Sequence, residues 1–137
     1  MTDPVSRPIP RPTDHSAAFW SGTAEGRFVI QRCASCHQAI FYPRVNCTAC
    51  GRTELIDEDS SGRGTVYTFT VARRPTHRAF ADAGPYVIAI VELDEGPHIT
   101  TNIVDCDPDQ VTIGMPVELT FAEEVDGIAI PLFRPMG

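Results

Sequence analysis

At 137 residues and 15.0 kDa the chain holds one domain, or one small domain with a short module. A whole Rossmann dehydrogenase or TIM barrel does not fit in that length. The net charge of −7 makes a poor general binder of phosphate backbones, and because all 11 basic residues are arginine, lysine chemistry such as a Schiff base is excluded.

Apolar residues make up 42% and charged residues 21%, a globular balance. The longest near-continuous apolar run, Tyr86 to Val91, is far short of the ~20 residues of a membrane-spanning helix. No basic start followed by an apolar core opens the chain, so the expectation is a cytoplasmic protein with no membrane contact.

Residues 1–12 carry Pro4, Pro8, Pro10 and Pro12 and read as an extended arm, disordered in isolation or laid over a surface. Thr13 or Asp14 is expected to cap a short helix running to about Glu25, with Ala17, Ala18, Phe19 and Trp20 on its apolar face. Trp20 reads as a core anchor or as an interface anchor, since so short a helix has little core of its own. Gly26 ends the helix, and strands are expected at Phe28 to Gln31 and at Ala39 to Tyr42. Asp57, Glu58 and Asp59 with Ser60, Ser61 and Gly62 read as an acidic hinge. This divides the chain into the arm (1–12), a helix and cysteine module (13–60) and a strand-rich domain (61–137).

Past Gly64 the pattern has period two. Tyr67, Phe69 and Val71 alternate with threonines, and Pro85 to Leu93 is apolar nearly throughout. Ile99 and Ile103 share a face, as do Val117, Leu119 and Phe121. Ile128, Ile130 and Leu132 follow an Asp126-Gly127 hairpin turn. Five strands in roughly 70 residues with no long helix predict a mainly β protein ending in a small closed barrel, or sandwich fragments, with a core independent of the cysteine module.

The strongest chemical signal is Cys33-Ala-Ser-Cys36, ten intervening residues, then Cys47-Thr-Ala-Cys50-Gly51. Two residues between paired cysteines let both sulfurs reach one ion from one tight turn, and two such turns give four thiolates at tetrahedral corners. Iron also fits four thiolates; zinc is preferred because nothing else here points to electron transfer. Four thiolates close the site, so the expected role is one structural ion. His37 is expected to face solvent, Cys106 to be an inert thiol, and Asp105, Asp107 and Asp109 to form a solvated capping turn.

One basic cluster interrupts the acidic chain: Arg73, Arg74, His77 and Arg78. Its guanidiniums suit phosphates or carboxylates by forked hydrogen bonds; the plain alternative is a solvated loop. No nucleophile elbow, glycine-rich phosphate loop or paired-histidine helix motif is present.

The stretches AAFWSGTAEGRFVIQRCASC, FYPRVNCTACG, SGRGTVYTFTV and GPYVIAIVELDEGP, in this order, resemble the DUF35 family of acyl-CoA-associated proteins over about residues 13–134. The resemblance implies a rubredoxin-like zinc ribbon followed by a five-stranded OB-fold, with Cys33, Cys36, Cys47 and Cys50 as zinc ligands. It also implies a non-catalytic accessory subunit of a thiolase or thiolase-like aldolase, including aldolases that cleave steroid side-chain CoA thioesters. There it would form a heterotetramer and help accommodate the CoA thioester. On that reading the surfaces expected to meet partner or CoA are Phe19 and Trp20, and Arg73, Arg74 and Arg78. The competing class is a single-stranded nucleic-acid binder, which the charge and the lack of a basic aromatic stripe oppose.

Overall fold

The computed structural model describes residues 8–74 and 84–136. Helix α1 spans Ala17–Ala24, one turn shorter at its start than expected. The preceding turn is held by its own side chains: the Thr13 N–H donates to Ser16 Oγ at 2.8 Å, and the two hydroxyls lie 3.1 Å apart. Such local hydroxyl bonds compete with helical ones, so the helix begins only after Ser16. At the other end Gly26 takes a left-handed φ of 80° and stops it, as expected. Gly22 lets α1 press on the next strand; a Cβ there would lie 2.5 Å from Val29 Cγ2.

Three strands form the first sheet: β1 (Val29–Cys33), β2 (Ala39–Ile40) and β3 (Leu55–Asp59), in order β2-β1-β3. Here Asp57, Glu58 and Asp59 correct the sequence reading, for they form a strand rather than a hinge. The strand pairs antiparallel with β1 from Cys33↔Leu55 to Val29↔Asp59. Its carboxylates have basic partners on β1 and just before it. Arg27 Nη1 donates to Asp59 Oδ1 at 2.7 Å, and Arg32 grips Glu58 through Nε at 3.0 Å and Nη2 at 2.8 Å. The chain turns only at Ser60–Gly62, where Gly62 takes a φ of 76°.

The second sheet closes into a five-stranded barrel: β4 (Arg63–Ala72), β5 (Tyr86–Leu93), β6 (His98–Ile103), β7 (Pro116–Phe121) and β8 (Pro131–Pro135), in order β4-β5-β6-β8-β7. The predicted OB-fold architecture is therefore present. Asp126 and Gly127 both have positive φ, 52° and 79°, and make the predicted two-residue turn under the Val125–Ile128 bridge.

Two strands differ in phase from their sequence pattern. β4 carries a bulge between Val66 and Thr68. Val66 points inward and is buried, while Tyr67, which alternation had grouped with Phe69 and Val71, is 54% exposed. In β8 the buried residues are Pro131 and Phe133, not Leu132, so Leu132 and the preceding Ile130 stand half-buried on the outer side.

A single core runs through both sheets, against the expectation of an independent barrel. Phe19, Phe28, Ile30 and Ala39 cluster with Val66, Val87, Val91, Val117 and Phe133. An aromatic chain crosses the junction: Trp20–Phe19 at 4.8 Å, Phe19–Phe28 at 5.3 Å and Phe28–Phe133 at 6.3 Å between ring centroids. Polar ties reinforce it. Tyr42 Oη accepts the Thr100 N–H at 3.0 Å, and Glu95 accepts Ser60 Oγ–H at 2.8 Å and Ser61 N–H at 2.7 Å.

Where it is described, the arm lies over a surface, one of the two states expected of it. Ile9 and Pro10 are half-buried, and Pro8 and Ile9 wall a groove on the barrel; residues 1–7 lie outside the described residues. Among the described residues no helix is long and apolar enough to cross a membrane.

Candidate metal centre

The two cysteine pairs sit on two matching turns. Cys33 ends β1, and the turn after it closes with His37 N–H donating to the Cys33 carbonyl at 2.9 Å. The second turn closes the same way, from Gly51 N–H to the Cys47 carbonyl at 2.9 Å. In each, the residue after the second cysteine is left-handed, at φ 64° for His37 and 78° for Gly51. The left-handed residue follows the closed turn in both pairs. Gly51 adopts the left-handed conformation without a Cβ penalty, as its place in the motif predicts; His37 adopts it although a Cβ opposes it, and its side chain faces solvent as expected.

The turns face each other. Cys33 Sγ lies 3.6 Å from Cys50 Sγ, Cys36 Sγ lies 3.5 Å from Cys47 Sγ, and all four sulfurs fall within 4.8 Å of one another. A tetrahedral zinc–thiolate centre with bonds of ~2.3 Å sets its sulfurs about 3.8 Å apart. Four soft donors at this spacing fit one ion and fill its coordination sphere. The sequence expectation of a single closed four-cysteine site is met.

Backbone amides supply the charge compensation. Cys47 Sγ accepts N–H from Ala49 at 3.3 Å and from Cys50 at 3.5 Å; Cys33 Sγ accepts from Cys36 at 3.5 Å. The Cys50 and Ala49 amides bring the Cys47 thiol down to about 6 against its burial. Cys33 is likewise lowered, chiefly by the Cys36 amide. Cys36 goes the other way: the Gln38 amide opposes the shift, but burial and the neighbouring sulfurs push it up to about 11. Four crowded sulfurs cannot all ionise without a cation, and a divalent ion is what relieves that repulsion.

Longer-range clamps, not visible as motifs, hold the turns. Arg32 Nη1 donates to the His37 carbonyl at 2.8 Å, and Asn46 Nδ2 to the Gly51 carbonyl at 3.0 Å. The Gln31 amide pairs both ways with the Arg44 backbone, donating at 3.0 Å and accepting at 2.7 Å. The Gln31 and Arg44 positions are 13 apart in sequence, which no local pattern signals.

The other sequence candidates lie elsewhere. Phe19 is buried in the core and Trp20 beside it is half-buried. Arg73 follows the end of β4, remote from the ribbon, and pairs loosely with Asp109 at 3.5 Å; Arg74 is exposed. His77 and Arg78 lie outside the described residues. Asp107 caps the short turn Pro108–Gln110 by accepting the Asp109 N–H at 2.9 Å, the capping role expected of this acidic stretch. Burial, then Asp107 and Asp105, push the half-buried Cys106 thiol up, which suits an unreactive cysteine.

A thiolate-closed ribbon sharing its core with a five-stranded barrel defines a zinc-ribbon/OB-fold protein. Residues 20–55 match the family described as ChsH2, rubredoxin-like zinc ribbon domain, and residues 57–122 match ChsH2, C-terminal OB-fold domain. A DUF35 domain-containing scaffold protein of Methanothermobacter thermautotrophicus is 43% identical over 91 residues, covering 66% of this chain and 68% of that protein. A probable enoyl-CoA hydratase alpha subunit of Thermomonospora curvata is 42% identical over 128 residues, 92% of this chain but only 40% of that protein's length. Among solved structures, a chain of an Ltp2-ChsH2(DUF35) aldolase superposes with a TM-score of 0.81 at 39% identity, over 92% of this chain and 98% of that one. The chain belongs to the DUF35 family.

Proposed function

We propose that this chain is a non-catalytic accessory subunit of a thiolase-like acyl-CoA enzyme and helps accommodate the CoA thioester. The observation that carries this is the 39% identical chain of the Ltp2-ChsH2(DUF35) aldolase, matched over 98% of its length. The metal centre agrees: its four thiolates leave no ligand position for a substrate, so the ion holds the ribbon in shape. The chemistry then belongs to the partner. Within the acyl-CoA class, the family resemblance favours steroid side-chain thioesters; the paired metal-binding cysteines favour a cytoplasmic location.

Thiolase-like enzymes are commonly homodimers, so one accessory chain on each catalytic subunit makes a heterotetramer. Of the two aromatic candidates, Trp20 is the one a partner meets, because Phe19 is spent on the core. The loop opened by Arg73 and Arg74 and continued by Arg78 is assigned to the CoA phosphates, for which forked guanidinium donors are suited.

The test is to mix the zinc-loaded chain with the Ltp2 subunit and measure the mass of the product by light scattering, with carbon–carbon cleavage of the acyl-CoA substrate followed in parallel. A complex of two plus two chains with cleavage dependent on both is expected. Separate elution at micromolar concentration, or robust cleavage by the lone chain that a point mutation within it abolishes, overturns the reading.

A further inference from the structure

Two cavities meet on the outer side of the ribbon–barrel junction. One of about 210 Å³ lies between Trp20, Tyr42 and Pro43 of the ribbon and Ile99 and Ile130 of the barrel. The other, about 540 Å³, is lined by Ile128, Ile130, Leu132 and Val125 and walled by Pro8 and Ile9 of the arm. Ile130 lines both, so they form one apolar seam across the junction. The shifted phase of β8 creates it: with Phe133 turned inward, Ile130 and Leu132 are left outside. Tyr42 and Val125 on its borders are 46% and 47% exposed.

The seam has a sign. Glu123 and Asp126 line the larger cavity and Glu124 stands exposed between them in sequence; among the described residues no basic side chain lines either cavity. One segment of the chain already packs along its edge, and it shows which chemistry the seam accepts. It is Pro8-Ile9, apolar, with Arg7 and Arg11 on either side of it in sequence.

We propose that this seam is the docking surface for an extended aliphatic or proline-rich segment bracketed by arginine or lysine, presented by the thiolase-like subunit. The inference rests on the accessory-subunit reading and deepens it by assigning the face. Apolar contact in the seam supplies the burial, and the acidic border selects a basic partner and orients it. Arg73 and Arg74 stand at the far end of β4, about 30 Å of strand from the ribbon turn, outside the seam, where they are assigned to CoA.

The experiment measures affinity for Ltp2 by titration calorimetry with three forms of the zinc-loaded chain. These are wild type, the charge reversal Glu123→Arg/Glu124→Arg, and the seam variant Ile130→Thr/Leu132→Thr. Thermal unfolding is recorded for each, and the charge reversal touches only exposed side chains, so one variant stays folded whatever the other does. Both variants are expected to bind about tenfold or more weakly. The defect of the charge reversal should shrink as salt rises to about 0.5 M. Wild-type affinity in both folded variants overturns the seam while leaving the accessory reading intact. No complex with wild type removes that reading and this assignment together. A wild-type self-dimer broken by the seam variant makes the face a contact between copies, and the proposal fails.

Discussion

His37 and Gly51 occupy equivalent positions after the second cysteine of each pair, and only one of them is glycine. A left-handed non-glycine residue costs about 1–2 kcal/mol, part of which glycine gives back in chain entropy. His37→Gly is therefore expected to raise stability by about 0.5 kcal/mol without changing metal content, as read by thermal unfolding and elemental analysis. The sulfurs allow no such freedom. Wild type should hold one zinc per chain, and Cys47→Ser should lose it, because three thiolates of this set no longer close a tetrahedron. Metal well below one per chain on protein with reduced, intact thiols would contradict the site. Arg73→Ala/Arg74→Ala should weaken CoA binding several-fold in the complex while the assembly mass stays unchanged, since charge-assisted phosphate bonds are lost without touching the seam.

Elements divide sharply into those legible in the sequence and those that were not. The helix, the cysteine turns, the Asp126-Gly127 hairpin and five barrel strands each carry a local signature: an apolar face, a fixed spacing, a left-handed dipeptide or a period of two. β3 carried none, because Asp57, Glu58 and Asp59 look like a solvated turn until Arg27 and Arg32, some 30 residues earlier, are placed opposite them. The bulge at Tyr67 and the phase of β8 were equally hidden, since alternation fixes spacing but not which parity faces inward. For the site, the ligands were legible and their clamps were not.

The turn joining β3 to β4 has its own test. Partial burial tends to raise the Glu95 carboxyl, but the hydrogen bonds from Ser61 and Ser60 outweigh it and hold the group below its ordinary value of 4.5. A depressed carboxyl contributes stability that is full above that ordinary value and lost as pH falls through the folded one. The thermal midpoint of wild type should therefore exceed that of Glu95→Gln at neutral pH, with the gap closing below about pH 4.5. A gap that stays constant to low pH would assign Glu95 no such role.

On the scale of the whole molecule, ribbon and barrel share one core, which predicts that they unfold together. Phe28 belongs to the ribbon and is 1% exposed because Phe133 of the barrel covers it, while Phe19 and Phe41 close its other sides. Phe28→Ala should cost about 3–5 kcal/mol and lower the unfolding of both sheets together. Chelation should do likewise: near-ultraviolet dichroism of the barrel and release of the ion should follow one transition. Two resolved transitions, with the barrel outlasting the ribbon, would mean the shared core is energetically divided.

That Phe28–Phe133 contact also orders events during synthesis. The two rings are separated by more than 100 positions of chain, and β8 is the strand that closes the barrel between β6 and β7. A nascent chain has all four cysteines outside the ribosome long before it has β8. The ion can then bind while Phe28 and the inner faces of β4 to β7 still lack their cover. This order of emergence predicts metal capture as the early, local event and burial as the late one. The interval between them, when a loaded ribbon trails an open sheet, is when this chain most needs protection from aggregation.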